Sequence, residues 1–373
     1  MPATPHGIAI VLGTRPEMVK LAGIVHALGS ESRVFHTGQH YDPALSGSVW
    51  DALGLPEPEA VLSVGGSGRA AQIASTLKQL DTVFTARPPK AVVVQGDTNA
   101  GLAGALAANA LDIPLVHVEA GLRSFDRAMP EEHNRVIIDH IADLLCAPTA
   151  TNVENLRAEQ IPAERIVLTG NTVVEAVQAQ LPSSAVTDTV LHAHGLSADR
   201  YVLTTIHRPE NTDDPVALAT ILTELTTLSL PVVLPLHPRT RARIHAFGLD
   251  PLLEGLRVID PVTPPEFLAL AASSAVLVSD SGGVQEECSV LKRPLLVVRA
   301  STERPEVMGS FADRVLPGPQ ISEIVERWIA DLAETHATLA ALPSPYGDGS
   351  ASETIAREIR RLVSAPMEDR RAA

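Results

Sequence analysis

The stretch that decides the fold contains two apolar segments, AVVVQGDTNAG at 91–101 and PLVHVEAGLRS at 114–124. In each segment a β-branched run ends close to a carboxylate, Asp97 in the first and Glu119 in the second, and a glycine-containing stretch typical of a helix start follows. Apolar strands that alternate with helices indicate a parallel sheet, and such sheets bind their ligands at the carboxyl edge of the strands. The two acids are therefore predicted to lie at that edge.

The same alternation runs along the first half of the chain and then restarts. Strands are expected in the first half at 7–13, 33–37, 91–95, 115–118, 143–147 and 165–169, with helices at 16–28, 69–86, 99–110, 131–141 and 151–159. Strands are expected in the second half near 201–206, 232–236, 256–259, 275–279 and 295–298, with helices near 215–228, 264–272 and 283–291. This pattern predicts an α/β protein made of two similar, doubly wound parallel-sheet domains that face each other across a cleft.

A looser stretch at 170–200 separates the two halves and reads as a helix followed by a linker, so we place the domain boundary near residue 175. A final helix at about 350–363 follows the turn SPYGDG. We expect a first domain of residues 1–174, completed by the C-terminal segment 350–373, and a second domain of residues 175–349.

The composition narrows the classes of function. The formal net charge is −15, which argues against a nucleic acid or an anionic membrane as partner. The two cysteines, Cys146 and Cys288, lie in apolar surroundings outside any CxxC motif, which fits a reducing compartment. A signal-peptide pattern and a run of about 18 apolar residues are both missing, so the sequence predicts a soluble, cytoplasmic protein.

The turn after the first strand, GTRPEMVK at 13–20, differs from the GxGxxG pattern of dinucleotide-binding turns. Arg15 stands where the following helix begins, and Lys20 lies about one turn later. Together with the helix dipole, these two cations could hold a diphosphate. An ordinary solvated basic pair would have the same spacing.

The segment VSDSGGVQEE at 278–287 has the residues of a phosphate-binding turn between a strand and a helix, Ser281, Gly282 and Gly283. Glycines allow backbone N–H groups to approach phosphate oxygens closely, although a tight structural turn has the same composition. Glu287 lies one turn into the helix and could accept a hydrogen bond from a ribose hydroxyl. Arg304, in TERPE, could supply a charge-assisted contact to ribose or phosphate.

Two histidines also follow apolar strands. His207 precedes Arg208 in TTIHRPEN, and His237 stands in LHPRT. A lone histidine is more often structural than catalytic, but its position at a strand end beside an arginine raises the second possibility. The spacing of His and Cys does not suggest a transition-metal site, and the chain lacks a GxSxG elbow.

A third acid, Glu131 in RAMPEEHNR, follows Pro130 at a predicted helix start. Each of the three acids, Asp97, Glu119 and Glu131, is also accounted for as a helix N-terminal residue that the dipole stabilises. From the residues alone, the catalytic and the structural interpretation of these acids both remain open.

Taken together and in this order, the motifs resemble the non-hydrolysing UDP-N-acetylglucosamine 2-epimerases from about residue 12 to residue 350. The motifs that carry the resemblance are GTRPEMVK, VVQGDT, HVEAGLRSFDRAMPEEHNR, TGNTVVEA, HRPEN, DSGGVQEE, TERPE and SPYGDG. The resemblance implies two Rossmann-like domains of the glycosyltransferase-B kind, with the nucleotide bound mainly by the second. It also implies a homodimer and no redox cofactor.

The resemblance also implies roles for individual residues. Asp97, Glu119, Glu131 and His207 match the family's catalytic acids and histidine, and Arg15 and Lys20 match its substrate-contacting basic residues. The expected UDP-binding residues are Arg208, His237, Phe267 near the uracil, Ser281, Gly282, Gly283, Glu287 at the ribose, and Arg304. The set contains no metal ligand.

The implied reaction is the reversible conversion of UDP-N-acetylglucosamine to UDP-N-acetylmannosamine. It proceeds by anti-elimination of UDP to 2-acetamidoglucal and re-addition of UDP. The acids Asp97, Glu119 and Glu131 would transfer the C2 proton, with their roles undivided, and closure of the cleft would retain the intermediate.

The chain departs from the family pattern at two places. Pro209 stands in HRPE where many bacterial members have HRRE, and TGQHYDPALS at 37–46 keeps Gln39 and His40 in surroundings that differ from the QHR-type sequence. Activation by a second substrate molecule therefore does not follow from the resemblance, and the differences would also suit a modified sugar such as a 3-acetamido or uronic-acid derivative.

Three further functions fit the same scaffold. A hydrolysing epimerase would release free N-acetylmannosamine. A glycosyltransferase would need an acceptor-binding surface, for which the first domain has no basic or amphipathic stretch. An inactive nucleotide-sugar sensor is disfavoured because the three acids and His207 are all present.

Overall fold

The structure is a computed structural model, and it describes residues 5–38, 49–64 and 68–365. Contacts within the chain divide it into two units, Met1–Ala176 with Tyr346–Ala373 and Val177–Pro345. Each unit is built around one parallel sheet.

The first unit has a seven-stranded sheet whose strand order is typical of a Rossmann-like fold. The strands are β1 (Ile8–Leu12), β2 (Ser32–His36), β3 (Ala60–Val61), β4 (Ala91–Gln95), β5 (Leu115–Val118), β6 (Leu144–Ala147) and β7 (Ile166–Leu168). The order is β3-β2-β1-β4-β5-β6-β7, and every pairing is parallel. The central strands are fully buried because helices cover both faces, which explains their continuous apolar runs.

Helices of the first unit are α1 (Arg15–Leu28), α2 (Arg69–Ala86), α3 (Asn99–Ala110), α4 (Pro130–Ile141), α5 (Ala150–Ala158) and the C-terminal α15 (Ala351–Ser364), and α6 (Val173–Gln180) leads out of it. One face of the sheet packs against α2, α3, α4 and α5 through a core that includes Phe84, Leu102 and Ile138. The other face packs against α1 and α15, with Ile24 and Ile355 in its core.

The second unit repeats the design with six parallel strands, β8 (Val202–Thr205), β9 (Val232–Pro235), β10 (Arg257–Ile259), β11 (Val276–Ser279), β12 (Leu295–Val298) and β13 (Ala312–Val315). Their order is β10-β9-β8-β11-β12-β13. Its helices are α7 (Ser184–Ala193), α8 (Pro209–Thr212), α9 (Pro215–Thr226), α10 (Pro238–Ala246), α11 (Pro264–Ala272), α12 (Gly282–Leu291), α13 (Gln320–Ala330) and α14 (Leu332–Ala341).

The predicted class, two doubly wound parallel-sheet domains, is confirmed. The predicted bounds of α2, β4, α3 and β5 agree with the structure residue for residue. The interpretation of 170–200 as one helix and a linker was wrong, because α6 and α7 both lie there. The elements β3, β13, α8, α10, α13 and α14 were missed. The predicted C-terminal helix is α15, whereas residues 366–373 and the segment with Gln39 and His40 lie outside the described residues.

Among the described residues, no helix combines the length and the apolar content needed to cross a membrane. Within the same ranges, no group of three or more His, Cys, Asp and Glu side chains has the geometry of a metal site.

Candidate functional site

The strand order reverses at one point in each sheet, between β1 and β4 in the first unit and between β8 and β11 in the second. Open α/β sheets bind ligands beside such a point, at the carboxyl ends of the strands. The loops that begin there carry Arg15 and Asp97 in the first unit and His207 and Ser281 in the second. The topology therefore gathers most of the predicted site residues at these two edges.

Glu119 lies directly after β5 in a strained backbone conformation. Its φ is 68°, a left-handed value that residues other than glycine rarely adopt. The buried carboxylate accepts hydrogen bonds at Oε2 from Lys20 Nζ at 2.6 Å and from Gln95 Nε2 at 2.8 Å. Strain of this kind persists where the surroundings hold a residue in place, and it is common at active sites. Glu119 thus points in a fixed direction, paired with a predicted substrate-binding lysine.

Asp97 follows Gly96, whose φ is 65°, and pairs with Arg135 of α4. The Asp97 side chain is 30% exposed, so the carboxylate remains accessible. Asn134 Nδ2 donates to the Asp97 carbonyl at 2.8 Å and fixes the loop from the same helix. Helix α4 thereby holds both the backbone and the side chain of Asp97.

Glu131 and Glu132 begin α4 in different environments. Glu132 is buried, pairs with Arg135 and accepts from the Ser124 and Phe125 N–H groups at 3.0 and 2.9 Å, so its role is to fix the preceding loop. Glu131 is exposed and lies four residues before Arg135, on the helix face that reaches Asp97.

Glu17, which sequence reasoning missed, joins the two loops at the first switch point. Its Oε2 accepts from Gly13 N at 3.0 Å and from Thr14 N at 2.7 Å, and its Oε1 accepts from Thr98 Oγ1 at 2.7 Å. Burial raises the pKa of the Glu17 carboxyl, and these hydrogen bonds offset part of that rise. The Thr14-x-x-Glu17 capping box was the sequence signal that could have identified Glu17. Arg15, beside it, is half-buried, and burial lowers the pKa of its guanidinium.

A fully buried network around His117 supports both acid-bearing loops. The His117 ring lies 2.6 Å from Asp139 Oδ1 at Nδ1 and 2.9 Å from the Gly96 carbonyl at Nε2. Both partners are acceptors, so each can take a hydrogen bond from the ring nitrogen that faces it. Asp139 Oδ2 also accepts from Gly121 N at 3.1 Å and Arg123 Nη1 at 2.7 Å. Burial alone would raise the pKa of Asp139, but the contacts with His117 and Arg123 lower it by more, and the net shift is downward.

The second unit places His207 against a buried carboxylate. Asp280, directly after β11, has no exposed surface and accepts from His207 N at 3.0 Å, Arg208 N at 2.9 Å and Asn211 Nδ2 at 3.0 Å. The His207 Nδ1 atom lies 3.1 Å from Asp280 Oδ1, and the His207 side chain is 40% exposed. Asp280 therefore orders the whole loop after β8.

His237 caps the N-terminus of α10, and its ring centre lies 6.1 Å from that of His207. Its Nδ1 accepts from Arg239 N at 3.2 Å. Burial, His207 and Arg239 all lower the pKa of His237, which favours the neutral ring.

Ser281 is the N-cap residue of α12, which begins at Gly282 and Gly283. The first N–H groups of a helix have no partner within the helix, so they are available to an anion. A Cβ on Gly282 would lie 3.0 Å from Glu303 Oε1 and 3.1 Å from Arg304 Nη1, so a glycine allows the TERPE segment to pack against this turn. Glu287 lies four residues after Gly283 and is partly exposed.

A cluster of arginines lies at the same edge. Burial, together with the neighbouring cations Arg299 and Arg304, lowers the pKa of Arg208. The predicted nucleotide contact Arg304 is held by buried acids, since it pairs with Glu303 and lies 2.8 Å from Glu286 Oε1. Arg299, Glu286 and Glu303 were absent from the predicted set, although Glu286 lies in DSGGVQEE, Glu303 lies in TERPE, and Arg299 lies three residues before TERPE. Phe267, the predicted uracil neighbour, is half-buried in the first turn of α11.

Comparisons with known proteins show the family of this chain. The family model for UDP-N-acetylglucosamine 2-epimerase matches residues 25–360. A UDP-N-acetylglucosamine 2-epimerase of Methanococcus maripaludis is 36% identical and covers 93% of this chain and 96% of its own. A UDP-2,3-diacetamido-2,3-dideoxy-D-glucuronate 2-epimerase of Pseudomonas aeruginosa is 38% identical over 95% of this chain and 99% of its own. The crystal structure of Methanocaldococcus jannaschii UDP-GlcNAc 2-epimerase, in complex with UDP-GlcNAc and UDP, has a TM-score of 0.81 at 35% identity and covers 96% of this chain and 100% of its own.

Proposed function

The chain belongs to the UDP-N-acetylglucosamine 2-epimerase family of isomerases, and we propose that it interconverts UDP-N-acetylglucosamine and UDP-N-acetylmannosamine. The observation that carries the proposal is Glu119, a buried carboxylate held at a left-handed φ of 68° between Lys20 and Gln95. A fixed carboxylate at a strand end suits the transfer of a proton at a stereocentre, because inversion requires the proton to leave one face of the carbon and return to the other.

The proposed reaction is an elimination followed by an addition. One carboxylate removes the C2 proton, the electron pair of the C2–H bond forms the C1=C2 double bond, and the C1–O bond breaks with its electron pair on UDP. In the return step a diphosphate oxygen of UDP attacks C1, and a protonated group delivers a proton to the opposite face of C2. We assign Asp97, Glu119 and Glu131 to these proton transfers, and their negative charges also stabilise the positive charge that develops at C1.

The second unit is proposed to bind the nucleotide. The N-terminus of α12, with Ser281, Gly282 and Gly283, would accept the diphosphate, and Arg208 and His207 would stabilise its added charge as it departs. Glu287 would accept from the ribose, and the remaining proposed contacts are Arg304, His237 and Phe267. In the first unit, Arg15 and Lys20 would contact the substrate.

A second candidate is the same reaction on a modified sugar. It is favoured by the 38% identity to the P. aeruginosa relative, whose name gives a 2,3-diacetamido glucuronate as its substrate. Pro209, in place of a second basic residue after Arg208, is a further difference that would suit another sugar.

The deciding experiment is proton NMR of the protein with UDP-N-acetylglucosamine in D₂O. UDP-N-acetylmannosamine with deuterium at C2, together with loss of the C2 proton signal from both epimers, would support the proposed route. Free N-acetylmannosamine would point to the hydrolysing reaction instead. No change with this sugar, but deuterium exchange with UDP-2,3-diacetamido-2,3-dideoxy-D-glucuronate, would favour the second candidate.

The homodimer implied by the resemblance stays a prediction. Sedimentation velocity tests it directly: a dimer mass supports it, and a monomer across the micromolar range contradicts it.

A further inference from the structure

We propose that Asp280 is a positioning residue that holds His207 with a proton on Nδ1, so that Nε2 is the nitrogen that meets the departing diphosphate. The inference rests on the proposed function for the role of His207 in turnover. The position of the proton on the ring is a property of the free protein and can be tested without substrate.

The two oxygens of Asp280 have different partners. Oδ2 accepts from Arg208 N at 2.9 Å and Asn211 Nδ2 at 3.0 Å, and the His207 N–H is shared between Oδ2 at 3.0 Å and Oδ1 at 3.1 Å. Oδ1 also faces the imidazole, with His207 Nδ1 at 3.1 Å. The two backbone N–H groups and the Asn211 amide can only donate to Asp280, so the carboxylate acts as an acceptor whatever the state of the imidazole.

The ionised state of Asp280 fixes the proton on the ring. Burial would raise the pKa of Asp280, but the contact with His207 and the hydrogen bonds from Asn211 and Arg208 lower it further, and the net shift is downward. An ionised carboxylate can only accept, so it favours a hydrogen on the nitrogen that faces it and repels a lone pair there. In neutral His207 that nitrogen is Nδ1, which leaves the lone pair on Nε2.

The His207 ring is partly accessible. The His207 side chain is 40% exposed although Asp280 is completely buried. Among the described residues, no hydrogen bond to His207 Nε2 is formed. In the reacting enzyme the proposal places a second proton on this nitrogen, and the ring is then a cation whose Nδ1–H donates to Asp280.

That cation would serve both directions of the proposed reaction. When the C1–O bond breaks, its electron pair stays on the diphosphate, and Nε2–H of the imidazolium donates a hydrogen bond to the oxygen that gains charge. When UDP adds back, the same hydrogen bond is released. His207 ends each cycle with the protons with which it began.

His237 provides a contrast within the same unit. Its Nδ1 accepts from Arg239 N at 3.2 Å, so neutral His237 must carry its proton on Nε2. The two neighbouring rings are therefore expected to have opposite tautomers, and His237 is an internal reference for His207.

The experiment is ¹⁵N NMR of the full chain labelled at histidine, recorded at about pH 9, well above the ordinary imidazole pKa of about 6.5, so that the rings are neutral. His207→Gln and His237→Gln spectra assign the two signals. The expected result is Nδ1–H for His207 and Nε2–H for His237. A His207 ring with its proton on Nε2 in the unsubstituted protein would overturn the proposal, whatever any variant does.

Asp280→Asn provides the functional test. The amide oxygen can take the place of Oδ2 and keep the backbone donors, while the amide N–H₂ would face Nδ1 and force the proton to Nε2. We expect UDP affinity within about twofold of the unsubstituted protein and kcat lowered by about 10²-fold, the lower end of acid–base effects. Normal kcat with a switched tautomer would overturn the role in turnover.

Asn211→Ala is the matched control, because Asn211 donates to Asp280 Oδ2 but does not touch the imidazole. In this variant, His207 should keep the Nδ1–H tautomer, and kcat should stay within about threefold of that of the unsubstituted protein. A loss of kcat equal to that of Asp280→Asn, without a tautomer change, would show that Asp280 acts only through the packing of the loop and would overturn the proposal. If the unsubstituted protein fails to epimerise any UDP-sugar, the proposed function fails, whereas the tautomer result stands on its own.

Discussion

The carboxyl edges of the two sheets occupy equivalent places in the same topology, yet the charged groups that they carry differ. In the first unit the carboxylates are matched by cations within the unit, Glu119 by Lys20 and Asp97 by Arg135. In the second unit arginines crowd together closely enough for Arg299 and Arg304 to lower the pKa of Arg208. The topology decides where a site forms, and the side chains at the strand ends decide what it can do.

The difference indicates a division of labour. Carboxylates fixed by internal cations are suited to proton transfer, since their orientation does not depend on the ligand. Arginines that lie beside a helix N-terminus can bind an anion together with its free N–H groups, which suits a nucleotide diphosphate. Changes at the first edge should therefore affect stability and turnover. Changes at the residues of the second edge that contact the nucleotide should affect nucleotide affinity, whereas Asp280, which acts through His207, should affect turnover.

The largest effect is expected from Arg123→Met, which removes a cation from the buried network of the first unit. Arg123 Nη1 lies 2.7 Å from Asp139, which has no exposed surface, so the substitution leaves a buried carboxylate with one cation fewer. Breaking a buried pair in this way costs about 3–5 kcal/mol. Urea denaturation measures the loss directly.

Arg243→Met in the second unit is the matched control. Arg243 pairs with Asp213 at 2.9 Å, but both side chains are substantially exposed, and such pairs contribute little. Its urea midpoint should not change. Equal losses in the two variants would contradict the view that the first edge is the one stabilised by buried charge.

The sequence predicted the sheets well because each strand and helix is encoded locally. The β-branched run of β4 and the Thr98 cap of α3 lie next to each other in the chain, and so the position of Asp97 between them was predictable. The short strand β13, ADRV, has only one apolar residue beyond alanine and gave no signal of comparable strength.

The partners of the site residues were not predictable in the same way. Glu119 and Lys20 are 99 positions apart, and Asp280 and His207 are 73 apart, so their contacts depend on how the sheet brings distant loops together. Asp280 is part of the motif DSGGVQEE, but only the fold shows that it faces His207. The capping box was a local sequence signal for Glu17. Nothing in the local sequence indicated its hydrogen bond with Thr98, which lies 81 positions away.

Glu119→Gln should give the next largest effect. The amide keeps the shape of the side chain but cannot remove a proton, so we expect kcat to fall by about 10²-fold or more while UDP affinity is retained. Single-turnover assays and UDP titration separate the two quantities. Asp97→Asn should behave alike, and Glu154→Gln, at an exposed acid of α5, is the control that should change neither. Near-normal kcat in both Glu119→Gln and Asp97→Asn would show that these acids do not take part in the proton transfer.

Glu287→Ala tests the second edge and should act on affinity instead. Loss of a charge-assisted hydrogen bond to the ribose is expected to weaken UDP binding by about tenfold, equivalent to about 1.4 kcal/mol. Isothermal titration calorimetry with UDP measures the change, with the exposed Glu334→Ala of α14 as the control in the same unit. Unchanged affinity in Glu287→Ala would refute the ribose assignment, and a lower kcat with normal affinity would reverse the proposed division of labour.

The smallest effect is expected from Glu17→Gln, and it concerns how stability depends on pH. Burial raises the pKa of Glu17 above its unfolded value, unlike Asp139, whose cations lower it. Between the unfolded and the folded pKa of Glu17, the folded protein holds a proton that the unfolded chain has released, so stability falls as the pH rises through this window. Glutamine does not titrate, so the variant should lose less stability than the unsubstituted protein as the pH rises above the ordinary glutamate pKa of about 4.3. Thermal unfolding midpoints measured in parallel across this range give the difference, and a variant whose midpoints fall as steeply as those of the unsubstituted protein would show that Glu17 is ionised throughout.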